Sequence, residues 1–293
     1  MYSLKEAVTS TRKSYNDKIL EVSNLLANAE SIVCGIGAGL TSAGGIDYNN
    51  PKHLKKYYPQ YFKLGFKTIF DVMSMFWKVN DENVLKYWAF WAHHINHVRY
   101  ETTVMKPYEN LYNLLKDKDY FICSTNVDGQ LEKAGFSNDK IFSPQGSYAH
   151  FQCVEPCIDK IFYNHDLIQN MLKNKVDDYT IRKEDIPICP KCNDYLVPNL
   201  RCDNSFVEKP YMFNYNKYID YLEDVINKKT VFLELGVGFN TPVIIRYPFE
   251  QMVSKNSNCT LVRINLNDIT SFKDEGKIII LKEDLNKVLF DLV

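Results

Sequence analysis

The sequence has no excess of either charge. Its 293 residues carry 35 basic and 36 acidic side chains, a formal net charge of -1, whereas a nucleic-acid surface needs a basic stripe or a clear basic surplus. Nucleic acid is excluded as the main partner. No stretch approaches the roughly 20 apolar residues of a membrane span. The first residues, MYSLKEAVTSTRKSYNDKIL, lack the apolar core and small-residue cleavage site of a secretory leader. The expectation is a soluble, cytoplasmic protein that stays off membranes. No internal repeat is evident either.

What is there is an apolar fraction of 45%, enough for one large domain or one large and one small. The chain is organised around Ser31 to Tyr48, SIVCGIGAGLTSAGGIDY. Ile32, Val33, Cys34 and Ile36 suit a strand buried on both faces, and Gly35, Gly37 and Gly39 let the backbone turn and approach a ligand closely. Leu40 to Ala43 then opens a helix whose free N–H groups suit a pyrophosphate. The three glycines do not fit G-x-G-x-x-G, so the ordinary dinucleotide fingerprint is matched poorly. A tight strand-to-helix turn without a ligand is the alternative for this segment alone.

Eight cysteines in a chain of this size with no export signal point to thiolate or metal chemistry rather than a disulfide framework. Cys153-x-x-x-Cys157 and Cys189-x-x-Cys192 are two short pairs, each placed to give two thiolates to one tetrahedral ion, with Pro156, Pro187 and Pro190 marking the turns. The reading is a structural zinc site, closed to substrate. Cys34, Cys123 and Cys259 lie in apolar runs and read as core; Cys202 is a spare or substitute ligand. His93, His94 and His97 form HHINH, but no glutamate stands beside the first histidine as H-E-x-x-H requires, so a partly exposed structural pair, His93 with His97, is expected.

Residues 13–29 read as an amphipathic helix, and 49–104 as a helical insert rich in Tyr, Phe and Trp, Phe70 and Trp91 among them; such aromatics are more often core than substrate wall, though an insert at this place is well placed to cover a ligand. Asp119 to Asn126 is an apolar strand ending in polar residues. Ligands in open parallel sheets collect at the carboxyl ends of strands, which puts Ser124, Thr125, Asn126 and Asp128 where a site belongs. Ile141 and Phe142 lead to Pro144-Gln145-Gly146-Ser147. Thr230 to Leu235 is a strand followed by a second small-residue turn, Gly236-Val-Gly238-Phe-Asn240-Thr241. Thr260 to Ile264 ends at Asn265, Lys277 to Leu281 is the last strand, and Asp284 to Leu292 a closing helix.

Taken in order, GAG with small hydroxyls and Asp47, the STNVD element, QGS, the cysteine pairs and GVGFNT resemble the sirtuin family over roughly residues 30 to 270. The resemblance implies an α/β fold: a Rossmann-like, doubly wound parallel sheet interrupted by a helical module and a small zinc-binding module. The corresponding boundaries are 1–48, 105–147 and 209–293 for the NAD-binding domain, 49–104 for the helical module and 148–208 for the zinc module. By the same resemblance Gly37, Ala38, Gly39 and Thr41 cradle the phosphates of NAD, with Gly236, Gly238, Asn240 and Thr241 opposite. Asn265 takes the adenosine ribose. Asn126 and Asp128 belong around the nicotinamide ribose, Ser124, Thr125 and Gln145 are further cofactor-binding candidates, and Asn126, Gln145 and Asp47 are the candidate catalytic groups.

The departures from the family pattern bear on activity. GGIDY lacks the proline and arginine of SGIPDFR, and Gln145 stands where the family has the histidine of H-G-S. An amide has no useful basicity near neutral pH, so Gln145 can orient but not take a proton. Cleavage of the nicotinamide–ribose bond needs positioning and electrostatics more than a base; deacylation is the step impaired. These features look like the macrodomain-linked microbial sirtuins, class M. That implies mono-ADP-ribosylation of a protein substrate, a lipoyl-bearing carrier related to the glycine-cleavage H protein, with a macrodomain hydrolase as partner. An NAD glycohydrolase, a non-catalytic NAD or ADP-ribose sensor and a residual deacylase remain as alternatives.

Overall fold

Short apolar runs bounded by polar turns become strands. In chain order they are β1 (Ser31–Ile36), β2 (Tyr120–Ser124), β3 (Ile141–Phe142), β4 (Gly146–Cys153), β5 (Phe162–Tyr163), β6 (Leu196–Leu200), β7 (Thr230–Leu235), β8 (Cys259–Ile264) and β9 (Ile278–Leu281). The computed structural model describes residues 13–267 and 277–293. Most of the N-terminal stretch read above as lacking a leader lies outside the described residues.

Six strands form one parallel sheet in the order β3-β2-β1-β7-β8-β9. β1, β2 and β7 are buried along their whole length, as strands covered by helices on both faces must be. On one face Ile32, Cys34, Ile122, Leu233 and Val262 pack with the closing helix Leu285–Leu292. On the other, Val33, Phe121, Phe232 and Leu261 pack with Phe249 and Tyr218 of helices Arg246–Lys255 and Met212–Val225. This is the doubly wound α/β arrangement that the sequence predicts, and Cys34, Cys123 and Cys259 are core as expected.

One pair breaks the apolar rule. Glu234 of β7 and Arg263 of β8 are register partners, both fully buried, joined by two hydrogen bonds of 2.8 Å, and Arg263 adds a third to Glu250. Burial pushes the Glu234 carboxyl up, and the Arg263 guanidinium pulls against it.

β5-β4-β6 form a second, antiparallel sheet of three strands. Phe151 of β4 packs 4.7 Å from Trp88 between ring centroids, which fastens this sheet to the aromatic helical module. That module holds helices Pro51–Tyr57, Pro59–Lys63, Ile69–Met75 and Val84–Ile95, the last running on into a π-helical turn, Asn96–Glu101. Trp88, Phe90 and Trp91 face inward, and the Trp91 indole donates to the Phe76 carbonyl at 2.8 Å. Among the described residues no helix is long and apolar enough to cross a membrane.

Candidate active site

The site forms where β2, β1 and β7 end side by side. The turn after β1 and the turn after β7 touch. Gly37 N–H donates to Leu235 O and Gly39 N–H to Gly236 O, each at 3.0 Å. A Cβ at Gly37 would lie 2.7 Å from Gly236 O, and one at Gly39 would lie 2.6 Å from Gly236 Cα. Gly236 itself has φ +62°, a left-handed conformation that glycine adopts without penalty. Two of the amides read as phosphate donors are therefore spent on holding the turns together; the glycines serve the turn-to-turn approach first. Ala38 at the head of helix Ala38–Ala43 stays exposed.

Behind this turn is a buried polar network. Asp128 is 4% exposed. Its Oδ2 accepts from the Thr41 hydroxyl at 2.5 Å and the Tyr108 hydroxyl at 3.2 Å, and its Oδ1 accepts from Gln130 N–H at 2.9 Å. Burial raises the Asp128 pKa, and the hydrogen bonds from Thr41, Gln130 and Tyr108 oppose the rise. Thr41 thus turns its hydroxyl hydrogen inward, to a carboxylate, not outward. Asn126 Nδ2 donates to Gly37 O at 3.0 Å and lies within reach of Thr41 Oγ1 at 3.0 Å and Tyr108 OH at 2.9 Å. Because a backbone carbonyl only accepts, the contact with Gly37 fixes which end of the Asn126 amide faces inward. No protein group among the described residues donates to its Oδ1, so the carboxamide oxygen is the free end.

Asn126, Val127 and Asp128 are shared by two clefts. One, of about 580 Å³, is lined by Ala38, Gly39, Thr41, Asp47, Tyr48, Phe70, Thr125 and Asn240 as well. The other, of about 240 Å³, adds Ser124, Ser143, Ser147, His150, Tyr211 and Asn214. The structure therefore brings together Ala38, Gly39, Thr41, Asp47, Thr125, Asn126, Asp128 and Asn240. Ser124 serves the second cleft, its Oγ accepting from Asn126 N–H at 3.2 Å. Gln145 lines neither cleft; its carbonyl accepts from Arg201 N–H at 3.1 Å. Gly37, Gly236, Gly238 and Thr241 are also outside the lining. Asn265 ties strand end to turn, its Nδ2 donating to Val237 O at 3.0 Å. Asp47 shapes its own loop by accepting from Asn49 N–H at 2.9 Å.

Two groups escaped the sequence reading. Tyr108 is fully buried at the start of helix Lys106–Leu115, and only the fold places it beneath Asn126. His150 lines the second cleft with its Nδ1 buried and without a partner, and burial holds the imidazole below its ordinary pKa, hence neutral. It lies five residues beyond Gln145, on a strand whose direction no local signal gives.

The cysteine pairs converge. Cys153, Cys157, Cys189 and Cys192 bring their Sγ atoms within 4.8 Å of one another, Cys153 to Cys192 at 3.4 Å and Cys157 to Cys189 at 3.6 Å. Zinc–sulfur bonds of about 2.3 Å make tetrahedron edges of about 3.8 Å, whereas a disulfide closes to about 2 Å. The donor set fits one tetrahedral zinc. The Cys189 knuckle turns through Asn193 at φ +62°, which asparagine tolerates. Cys202 stands outside the cluster and is exposed. The histidines hold no metal cluster among the described residues. His93 bonds the Tyr57 carbonyl and His97 stacks on the Tyr57 ring, but His97 is 9% exposed, so the pair is more buried than expected.

A doubly wound sheet with paired glycine turns at its carboxyl edge, an aromatic helical insert and a four-thiolate knuckle defines a sirtuin fold. Solved structures of that fold superpose on nearly the whole chain. A Sir2 homolog–NAD complex matches with TM-score 0.57 at 15% identity, covering 93% of this chain and 91% of that one. Sir2 bound to acetylated peptide matches with TM-score 0.56 at 15% identity, covering 93% and 95%. Protein ADP-ribosyltransferase of Staphylococcus aureus is 30% identical over 246 residues, 81% of this chain and 74% of that protein. The chain belongs to the sirtuin-family ADP-ribosyltransferases. A probable bifunctional ADP-ribose hydrolase/ADP-ribosyltransferase of Fusarium oxysporum f. sp. cubense is 26% identical over 277 residues, 90% of this chain; the chain spans 46% of that relative. No protein-family model matches.

Proposed function

We propose that the protein cleaves the nicotinamide–ribose bond of NAD in the larger cleft and transfers ADP-ribose to a protein acceptor presented through the smaller one. The observation that carries this reading is the state of Asn126. Its amide nitrogen is held inward by Gly37, Thr41 and Tyr108, which leaves the oxygen as the free end of a residue that lines both clefts. A volume of about 580 Å³ lies within the roughly 300–1,000 Å³ usual for ligand sites.

In the reaction the bond from ribose C1′ to the pyridinium nitrogen breaks with both electrons leaving on nicotinamide, and C1′ joins the acceptor atom, which loses a proton. Asn126 Oδ1 accepts a hydrogen bond from the ribose hydroxyl or the incoming nucleophile and orients it. Asp47, on the wall of the larger cleft, offsets the positive charge that develops at C1′. Ala38, Gly39, Thr125 and Asn240 hold the dinucleotide, and Phe70 of the helical insert closes over it. Gln145, which lines neither cleft, supplies no base in this reading, and the lack of a base favours transfer over deacylation. Gly37, Gly236, Gly238, Thr241 and Asn265 support the cradle from behind. The domain division given by the sequence, with the site between the NAD-binding part and the zinc module, is part of the same proposal.

A lipoylated carrier is proposed as acceptor, and a macrodomain-type hydrolase as the enzyme that reverses the transfer. The pairing of hydrolase and transferase in the name of the Fusarium relative supports the second point. The test is incubation with adenine-labelled NAD, with and without lipoylated carrier, following free nicotinamide and label on protein. Carrier-dependent label, reduced about 10²–10³-fold in Asn126→Ala, is the expected result. Nicotinamide release without label would make it a glycohydrolase. Binding without release would leave a sensor.

A further inference from the structure

His94 sits on helix Val84–Ile95 with no exposed surface. Its Nδ1 is 2.7 Å from the Tyr58 hydroxyl and its Nε2 3.0 Å from the Tyr148 hydroxyl. The Tyr148 hydroxyl in turn lies 3.3 Å from that of Tyr48. Burial, with His97, His93 and His53 nearby, holds the His94 imidazole far below its ordinary pKa. Burial also raises the phenols of Tyr48, Tyr58 and Tyr148. The chain Tyr58–His94–Tyr148–Tyr48 is therefore neutral at pH 7.

Hydrogens in such a chain can be counted. Three hydroxyls and one neutral imidazole carry four, one on each group, and three links use three. The fourth must leave the chain. Tyr58 has no exposed surface and, among the described residues, no partner for its hydroxyl besides His94, and Tyr148 is 1% exposed. A spare hydrogen on either would be a buried, unsatisfied donor, which proteins avoid. Tyr48 alone of the four lines the larger cleft. Tyr58 then donates to Nδ1, Nε2–H donates to Tyr148, Tyr148 donates to Tyr48, and the Tyr48 hydrogen is left for the cleft.

We propose that Tyr48 donates a hydrogen bond to an oxygen of the dinucleotide, and that His94, as a positioning residue in its Nε2–H tautomer, fixes Tyr48 in that donor role. The proposal rests on the reading of the larger cleft as the dinucleotide site. The chain delivers a donor, not a base, so it recognises an acceptor oxygen and takes no proton. In a wall that already offers the acceptors Asp47 and Asn126 Oδ1, Tyr48 supplies the complementary donor.

Two measurements on the zinc-loaded full chain test this. Nitrogen-15 NMR of the wild type reads the tautomer directly, and the expected signature is a protonated Nε2 with a bare Nδ1. Calorimetry compares the binding of NAD and of ADP-ribose by wild type, Tyr48→Phe, His94→Leu, His94→Gln and Tyr58→Phe, with circular dichroism reporting the folded state of each. Tyr48→Phe is expected to weaken NAD about tenfold, the value of one neutral hydrogen bond. His94→Leu weakens it as well. His94→Gln restores most of the affinity, since its oxygen accepts from Tyr58 while its amide donates to Tyr148. Tyr58→Phe, far from any ligand, gives a partial loss because the tautomer is no longer pinned. A loss for NAD alone points the donor at the carboxamide oxygen, and a loss for both ligands at a ribose or phosphate oxygen. Unchanged affinity of Tyr48→Phe for both ligands, or protonation of His94 on Nδ1, overturns the relay. A wild type that binds neither nucleotide overturns the reading of the cleft, and the relay with it.

Discussion

The two sheets of this protein are held by different means. The six-stranded sheet buries whole strands between two helical layers, and even its charged pair, Glu234 and Arg263, is enclosed. The three-stranded sheet has an edge, β5, that is half exposed or open, and it is held through four thiolates that include Cys153 and, two residues back on β4, through Phe151 against Trp88. Long apolar strands supply enough buried area to be stable; a small sheet with few such residues borrows stability from a metal. The contrast teaches that the candidate site's strand ends belong to the robust sheet, whereas the second cleft, with Ser147 and His150 on β4, depends on the borrowed one.

Removing zinc should break the comparison most severely. A chelator, or Cys189→Ser, is expected to remove on the order of 10 kcal/mol of metal-linked stability and to expose the amides of β4 and β6 to hydrogen exchange while those of β1 and β7 stay protected. Equal loss of protection in both sheets would show that they fold as one unit. Within the large sheet, Glu234→Gln removes the bidentate partner of Arg263 and leaves Glu250 as its carboxylate, and is expected to cost about 3 kcal/mol in chemical denaturation, the low end for a broken buried pair. Replacing the pair together, Glu234→Leu with Arg263→Met, should cost less than the single change.

A smaller effect comes from the helical module between the sheets. Burial lowers the pKa of His53, holds His94 well below its ordinary value and pushes His97 down to about 4. Each folded value lies below the unfolded one near 6.5, so the unfolded chain binds the extra protons. The stability is present above about pH 6.5 and is lost as pH falls towards 4. Thermal melts across that window should show the midpoint dropping, with the steepest part attenuated in His97→Gln. A flat profile between these limits would remove the histidines from the account.

The fold was legible where its signals are local. Thr230 to Leu235 is β7 to the residue, and the turn after Ile36 and both cysteine knuckles stand where composition and spacing put them. What escaped depends on contacts between distant segments. Nothing near Gly37 and Gly39 in sequence says that their amides meet Leu235 and Gly236. Tyr108 and His94 carry no signal of their roles in the sequence, because a periodic pattern records burial and not the partner of a hydroxyl or ring nitrogen. Glu234 within TVFLEL and Arg263 within CTLVRI are two polar interruptions that explain each other only when β7 and β8 are paired. The candidate site was recognisable as a set of strand ends; which atoms face the clefts was not.

The contact between Gly37, Gly39 and Gly236 also constrains how this protein can vary. Every atom that an added Cβ would strike at Gly37 or Gly39 belongs to backbone, and at Gly236 the nearest atoms are backbone too. A neighbouring side chain can shrink to admit a newcomer, but a main chain cannot. The three positions therefore behave as one inherited unit in which no partner change rescues another, and divergence at the mouth of the cleft is channelled to Ala38, Asn240 and the other residues that do not touch across it.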